Sequence, residues 1–205
     1  MAQGRDTPLV CWSCGGTFNR TGGGISVCPL CGALQPFMAS QDAFDIFNYE
    51  AGYRLDMGRL ETDYLSMQRR LHPDMFINAS GKERRIAASN AAAVNECYGV
   101  LCDPLKRSIA LLARVGHEAT VAREQKTIDD PELLIEMLEW RDVVASGDDE
   151  ERTRLRCDHK DKIHACEEAI ADAYEAGDWP KMDKESVRLR YLMRLGESFQ
   201  DVRLA

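Results

Sequence analysis

Two groups of residues in this 205-residue chain have types and spacings that could do chemistry. The first is a pair of Cys-x-x-Cys turns, Cys11-Trp12-Ser13-Cys14 and Cys28-Pro29-Leu30-Cys31, with thirteen residues between them. Each turn sets two thiolates on one side of a tight loop. Two such turns facing each other make a tetrahedral sulfur cage, which suits zinc. Gly15 and Gly32 follow the turns and relieve crowding where the chain folds back beneath the metal. Four thiolates close the coordination shell, so one zinc ion held by Cys11, Cys14, Cys28 and Cys31 would be structural. Iron fits a cage of the same shape, and two disulfides are the other use for four cysteines. A thioredoxin-type dithiol would need a strand–helix unit that this segment lacks.

The second group is His72-Pro73-Asp74. The tripeptide alone carries little, but its setting carries more. Leu60, Tyr64, Met67 and Leu71 recur at i, i+4, i+7 and i+11, which predicts an amphipathic helix leading into it. Pro73 stops that helix. A polar loop over 75–82 follows, with Asn78, Ser80 and Gly81. Val94, Cys97, Tyr98 and Leu101 then predict a second helix, which Pro104 ends. A third cluster, Cys157, His159, His164 and Cys166, looks like a metal set but is not one. At about 100° per residue, Cys157 and His164 share one helical face while His159 and Cys166 share nearly the opposite one. Cys166 is expected to be a core thiol, and at least one of the histidines is expected to be solvated.

These residues need scaffolding, and the chain divides accordingly. Residues 1–40 are rich in Cys and Gly and poor in apolar residues, too little for a core without a metal staple. Residues 41–117 hold the two helices around His72-Pro73-Asp74 and a shorter helix over 105–114 that Gly116 closes. Residues 118–128 are polar and read as a linker. Residues 129–205 read as three helices joined by short turns, an antiparallel bundle. Asp130 would cap the first and Asp178 the last, each followed closely by proline. Leu134, Leu138 and Val144 mark one face of the first helix. Leu155, Ile163, Cys166, Ile170 and Ala173 point inward from the second, and Leu192, Leu195, Phe199 and Val202 from the third. The expected fold class is mainly α: a small zinc-knuckle segment, a two-helix domain with its loop, and a three-helix bundle.

The net charge of −8 is unevenly spread. Residues 118–205 carry 23 acidic against 14 basic residues, while residues 11–32 contain only Arg20 among charged side chains. That balance argues against a zinc-dependent nucleic-acid binder, which needs basic faces to displace counterions. A thiol oxidoreductase using Cys11 and Cys14 is the other competing class, and retention of zinc would exclude it. No apolar run reaches the ~18 residues of a membrane span. MAQGRDTPLV reads as neither a secretory signal nor a transit peptide. Eight cysteines, four of them scattered, fit metal binding plus reduced thiols in a reducing compartment.

His72-Pro73-Asp74 between two helices, with Asn95-Glu96-Cys97-Tyr98 late in the second, resembles a J domain. Asp103-Pro104-Leu105-Lys106-Arg107 resembles the D-P-x-x-R element that closes the J domain in one subfamily. Asp130-Pro131-Glu132-Leu133-Leu134-Ile135-Glu136-Met137-Leu138-Glu139-Trp140-Arg141 and Leu189-Arg190-Tyr191-Leu192 resemble segments of that subfamily's acidic helical C-terminal domain. Over residues 42–205 the chain is similar to the HscB family of iron–sulfur cluster co-chaperones. The tetracysteine segment resembles that of animal and related eukaryotic members, and bacterial members lack it. Cys97 and Gly99 depart from the family's usual Ala and bulkier residue beside Tyr98, a change expected to alter packing and not function.

The resemblance implies a J domain over 41–117 and a scaffold-binding bundle over 129–205. It implies no enzyme activity of the chain's own. His72, Pro73 and Asp74 would contact a DnaK/HscA-type ATPase chaperone and stimulate it, with Arg69 and Arg70 supplying a basic surface for an acidic partner. Leu134, Ile135, Leu138 and Tyr191, with Glu139 and Asp142 as polar contacts, would bind an IscU-type iron–sulfur scaffold. The alternative for the apolar members is bundle core, since Leu134 and Leu138 sit four apart as core residues do. The resemblance further implies the mitochondrial matrix, or else the cytoplasm, with no nucleic-acid or membrane partner.

Overall fold

The structure is a computed structural model that describes residues 8–19, 24–120 and 131–201. They form two compact units, Met1–Asp103 and Pro104–Ala205.

The first unit begins with β1 (Pro8–Val10) and β2 (Thr17–Asn19), an antiparallel pair with Leu9 opposite Phe18. Val27 and Leu34 make one further antiparallel bridge. Three helices follow: α1 (Ala43–Phe47), α2 (Met57–Leu71) and α3 (Gly81–Cys102). A single 3-10 turn, Pro73–Phe76, lies between α2 and α3. Helix α1 was not legible from periodicity because it is one turn long. Its signal is a capping box, in which Asp42 accepts from the Asp45 N–H and Asp45 accepts from the Asp42 N–H. Phe44, Ile46 and Phe47 are buried from it, and α1 packs on both α2 and α3.

Helix α2 buries Leu60, Met67 and Leu71, three of its four predicted positions. The fourth, Tyr64, is half-buried. Its ring stacks on Tyr98 of α3 at 4.0 Å between centroids, and its hydroxyl donates to Asn95 Oδ1 at 3.0 Å. Helix α3 starts inside the predicted loop, because Ser80 is an N-cap whose hydroxyl accepts the Glu83 N–H.

The second unit contains α4 (Pro104–Arg114), α5 (Pro131–Ser146), α6 (Asp149–Ala176) and α7 (Trp179–Asp201). The unit boundary falls at Asp103/Pro104, earlier than the 117/118 boundary that composition indicates. The reason is packing: α4 buries Ser108, Leu111 and Leu112 completely and lies on α7. The three predicted bundle helices are present as α5, α6 and α7. Asp148 makes a capping box at α6 and Gly177 ends it in the left-handed conformation, φ 70°. Asp178 caps α7 by accepting the Lys181 N–H. The proposed cap Asp130, most of the linker over 121–128, and Val202 lie outside the described residues, as do the side chains of Val144 and Phe199.

The bundle's centre contains a histidine. His159 is buried, and its Nε2 lies 2.8 Å from the Leu192 carbonyl oxygen. The Trp140 ring meets it edge-on at 5.7 Å. Gly196 gives the imidazole its space, since a Cβ there would stand 2.8 Å from His159 Cε1. Cys157 and His164 are exposed on the far side of α6, while Cys166 is buried beside His159's face. The four residues therefore do not converge, as the helical angles require.

Candidate functional site: a sulfur cage, a loop tip and an exposed helix face

The two cysteine turns repeat one backbone pattern. In the first, the Cys11 N–H donates to the Gly16 carbonyl at 2.9 Å and the Gly15 N–H to the Cys11 carbonyl at 3.0 Å. In the second, the Cys28 N–H donates to the Ala33 carbonyl at 2.9 Å and the Gly32 N–H to the Cys28 carbonyl at 2.8 Å. Gly15 and Gly32 both take positive φ, 72° and 74°. A side chain is strained there, which accounts for both glycines.

The turns face each other. Cys11 and Cys31 sulfurs are 3.7 Å apart, Cys14 and Cys28 sulfurs 3.8 Å, and all four lie within 4.8 Å of one another. Zinc–sulfur bonds of about 2.3 Å in a tetrahedron give sulfur–sulfur edges of ~3.8 Å, so the cage fits such an ion. A disulfide would need about 2.05 Å, and all eight cysteines are free. Burial works against a charged Cys11, but backbone N–H groups of Cys14 and Ser13 and the thiols of Cys28 and Cys31 outweigh it. The Cys11 thiol is brought down to about 6, while Cys14 in the same cage is pushed up to about 11, the Gly16 N–H opposing and the Cys31 thiol favouring the rise; it is the sulfur geometry that suits a metal. The Gln35 amide also donates to Cys11 Sγ at 3.4 Å. Donor set and spacing together are those of a site that could hold a metal ion.

The stretch that follows the second cysteine turn is fastened to α3. The Leu34 N–H donates to Glu83 Oε1 at 3.0 Å, and the Phe37 N–H donates to Asn90 Oδ1 at 3.1 Å. Asn90 in turn donates to the Gln35 carbonyl at 2.9 Å. Lys82 Nζ stands 4.6 Å over the Trp12 ring. Sequence reading missed Asn90. Its only signal is a polar residue in register with the buried positions Ala87 and Val94.

His72, Pro73 and Asp74 sit at the turn between α2 and α3, all three exposed. His72 ends α2 and its Nδ1 accepts the Asp74 N–H at 3.3 Å. Asp74 Oδ2 is 3.4 Å from the same Nδ1. Arg69 and Arg70 lie exposed in the last turn of α2, before the loop. The loop's far side is held by Arg84, which donates to the carbonyls of Ala79 at 3.1 Å and Ile77 at 3.4 Å.

On α5, Ile135 and Leu138 are 58% and 60% exposed, and Glu139 and Asp142 are exposed as well. Among the described side chains of α5, Trp140 is the buried one, at 8%. Leu138 is thus surface, not bundle core. Tyr191 is half-buried on α7, with the Arg190 guanidinium 5.3 Å from its ring centroid. The side chain of Leu134 lies outside the described residues.

Comparison with known proteins agrees with this arrangement. A family model described as the HSCB C-terminal oligomerisation domain matches residues 129–200. The chain is 32% identical over 188 residues to the iron–sulfur cluster co-chaperone protein HscB homolog of Arabidopsis thaliana, covering 91% of this chain and 71% of that protein. It is 34% identical over 169 residues to the co-chaperone protein HscB homolog of Azoarcus sp., covering 78% and 93%. The crystal structure of the human co-chaperone protein HscB superposes with a TM-score of 0.84 at 26% identity, covering 94% of this chain and 97% of that one.

Proposed function

The chain belongs to the HscB family of iron–sulfur cluster co-chaperones, and from that premise we propose that it is an adaptor with two binding surfaces. One, the His72-Pro73-Asp74 loop with Arg69 and Arg70, engages a DnaK/HscA-type ATPase chaperone. The other, on α5 and α7, holds an IscU-type iron–sulfur scaffold through Ile135, Leu138 and Tyr191, with Leu134, Glu139 and Asp142 around them. The chain performs no bond chemistry. It accelerates hydrolysis in its partner by binding one conformational state of that partner more tightly than the other. Coupling of this kind is worth about 1–3 kcal/mol between sites. The assignment extends to the mitochondrial matrix as the place of action. One zinc ion, held by Cys11, Cys14, Cys28 and Cys31, supplies structural cross-linking.

The observation that carries this reading is the exposed His72-Pro73-Asp74 at the joint of two long packed helices. All three residues are exposed, with 59% of the His72 side chain and 77% of the Asp74 side chain open to solvent, which leaves them available to a partner. Within the loop, His72 is turned onto its own neighbour Asp74. The test is a single-turnover ATPase assay on the purified chaperone. Wild-type chain should accelerate hydrolysis, and His72→Gln should leave it at the basal rate while still binding the scaffold. Normal stimulation by His72→Gln would remove the J-domain assignment.

A further inference from the structure

Helix α3 is gripped at its start from two sides. On one side is the stretch 33–37, which follows directly on the second cysteine turn. It holds Glu83 and Asn90 through three hydrogen bonds between its own backbone and their side chains. On the other side is the segment leading back from the His72-Pro73-Asp74 loop, where Arg84 donates to the Ile77 and Ala79 carbonyls and Ser80 caps α3. Glu83 and Arg84 are consecutive residues of the same helical turn. Asn90 is 2% exposed, and its amide bonds with Gln35 and Phe37 are what compensate its burial.

We propose that the metal-loaded cysteine segment is a positioning element for the chaperone-binding loop. The sulfur cage orders 33–37, and that stretch orders the first three turns of α3. Those turns fix the loop, with Glu83 and Asn90 as the positioning residues. The chain of cause is local. Outside the cage, 33–37 is held by the Val27–Leu34 bridge, the Gln35 N–H to the Ser26 carbonyl, and the Trp12 indole N–H to the Leu34 carbonyl. Trp12 and Ser26 lie beside cage cysteines. Loss of the metal releases both turns and with them these partners. Asn90 then loses both amide bonds, and α3 loses the contacts that hold its first three turns. The loop's role in stimulation rests on the function proposed above, while the structural coupling does not.

The test uses full-length protein under reducing conditions, zinc-loaded or stripped by a chelator, and reads amide hydrogen exchange by mass spectrometry. Stripping should raise exchange in residues 81–94 about tenfold, while α6 peptides stay unchanged and report against global unfolding. In Glu83→Ala and Asn90→Ala, which remove the acceptors of the Leu34 and Phe37 N–H groups, exchange in 81–94 should already be raised with zinc bound. Stripping should then add less than about twofold. Glu83→Ala, a milder change at a half-buried position, carries the comparison where Asn90→Ala reduces the yield of folded protein. An unchanged 81–94 in stripped wild type, or a full metal effect in both variants, overturns the proposal. In parallel, stripped wild type should need several-fold more protein for half-maximal ATPase stimulation. Stimulation absent even with zinc counts against the loop's function and leaves the exchange result to decide the coupling.

Discussion

Cys157 and Cys166 lie nine residues apart on α6 and face opposite environments. Cys166 is buried, and desolvation, followed by the Glu185 carboxylate, pushes its thiol up to about 12. Its Sγ donates to the Glu185 carbonyl at 3.1 Å. Half-buried Cys97 is likewise pushed up to about 11, mainly by desolvation. Since the thiolate is the reactive form, both are inert near neutral pH. Cys157 is exposed. With zinc loaded, brief alkylation at pH 7.5 should therefore modify Cys157 first, and peptide mass spectrometry will show it. Prior labelling of Cys166 would mean that α6 is rotated. At this scale the sequence was informative where a residue type admits few uses. Four cysteines at knuckle spacing, and two cysteine–histidine pairs on opposed helical faces, could be read by counting. Asn90 could not, because a single buried amide has no spacing pattern; its meaning lies in Gln35 and Phe37, more than fifty residues away.

Among the elements, helices with long stripes were legible and short or two-faced ones were not. Helix α2 shows its period over four turns. Helix α1 has one turn, and α5 is apolar on more than one side. That ambiguity left Leu138 open to a core reading, while the buried anchor is Trp140, edge-on to His159 with Lys162 Nζ 5.2 Å above the ring. The two residues give a clean contrast. Trp140→Ala empties a large buried volume and should cost about 3–5 kcal/mol. Leu138→Ala removes an exposed side chain and should stay within about 0.5 kcal/mol of wild type. Urea unfolding followed by helical circular dichroism measures both. Equal losses would place Leu138 inside the bundle and withdraw it from the binding surface.

For the whole molecule, the division into two units sets what a mutation can reach. The loop of His72, Pro73 and Asp74 belongs to Met1–Asp103, and the surface of Ile135, Leu138 and Tyr191 to Pro104–Ala205. Helix α4 begins at Pro104 of the Asp103-Pro104 element read from the sequence as closing the J domain. Its buried Leu111 and Leu112 belong instead to the unit that contains α7. Sites on separate packing units with no shared partners act additively, so the two surfaces should be separable. Replacing Ile135, Leu138 and Tyr191 together by Ala should weaken binding of an IscU-type scaffold. Truncating a large contact at an interface centre costs over ~1 kcal/mol, and three should lower affinity by more than about a hundredfold. Stimulation of the chaperone by the chain alone should persist at the wild-type rate, because the loop is untouched. Calorimetric titration of the scaffold and a single-turnover ATPase assay on the same preparation read the two effects. Tyr191 is half-buried, so thermal unfolding of the triple variant must accompany them. A transition near that of wild type with lost binding assigns the surface to the scaffold. A large drop in Tm would assign Tyr191 to the bundle, and retained binding would move the scaffold's contact elsewhere on the chain.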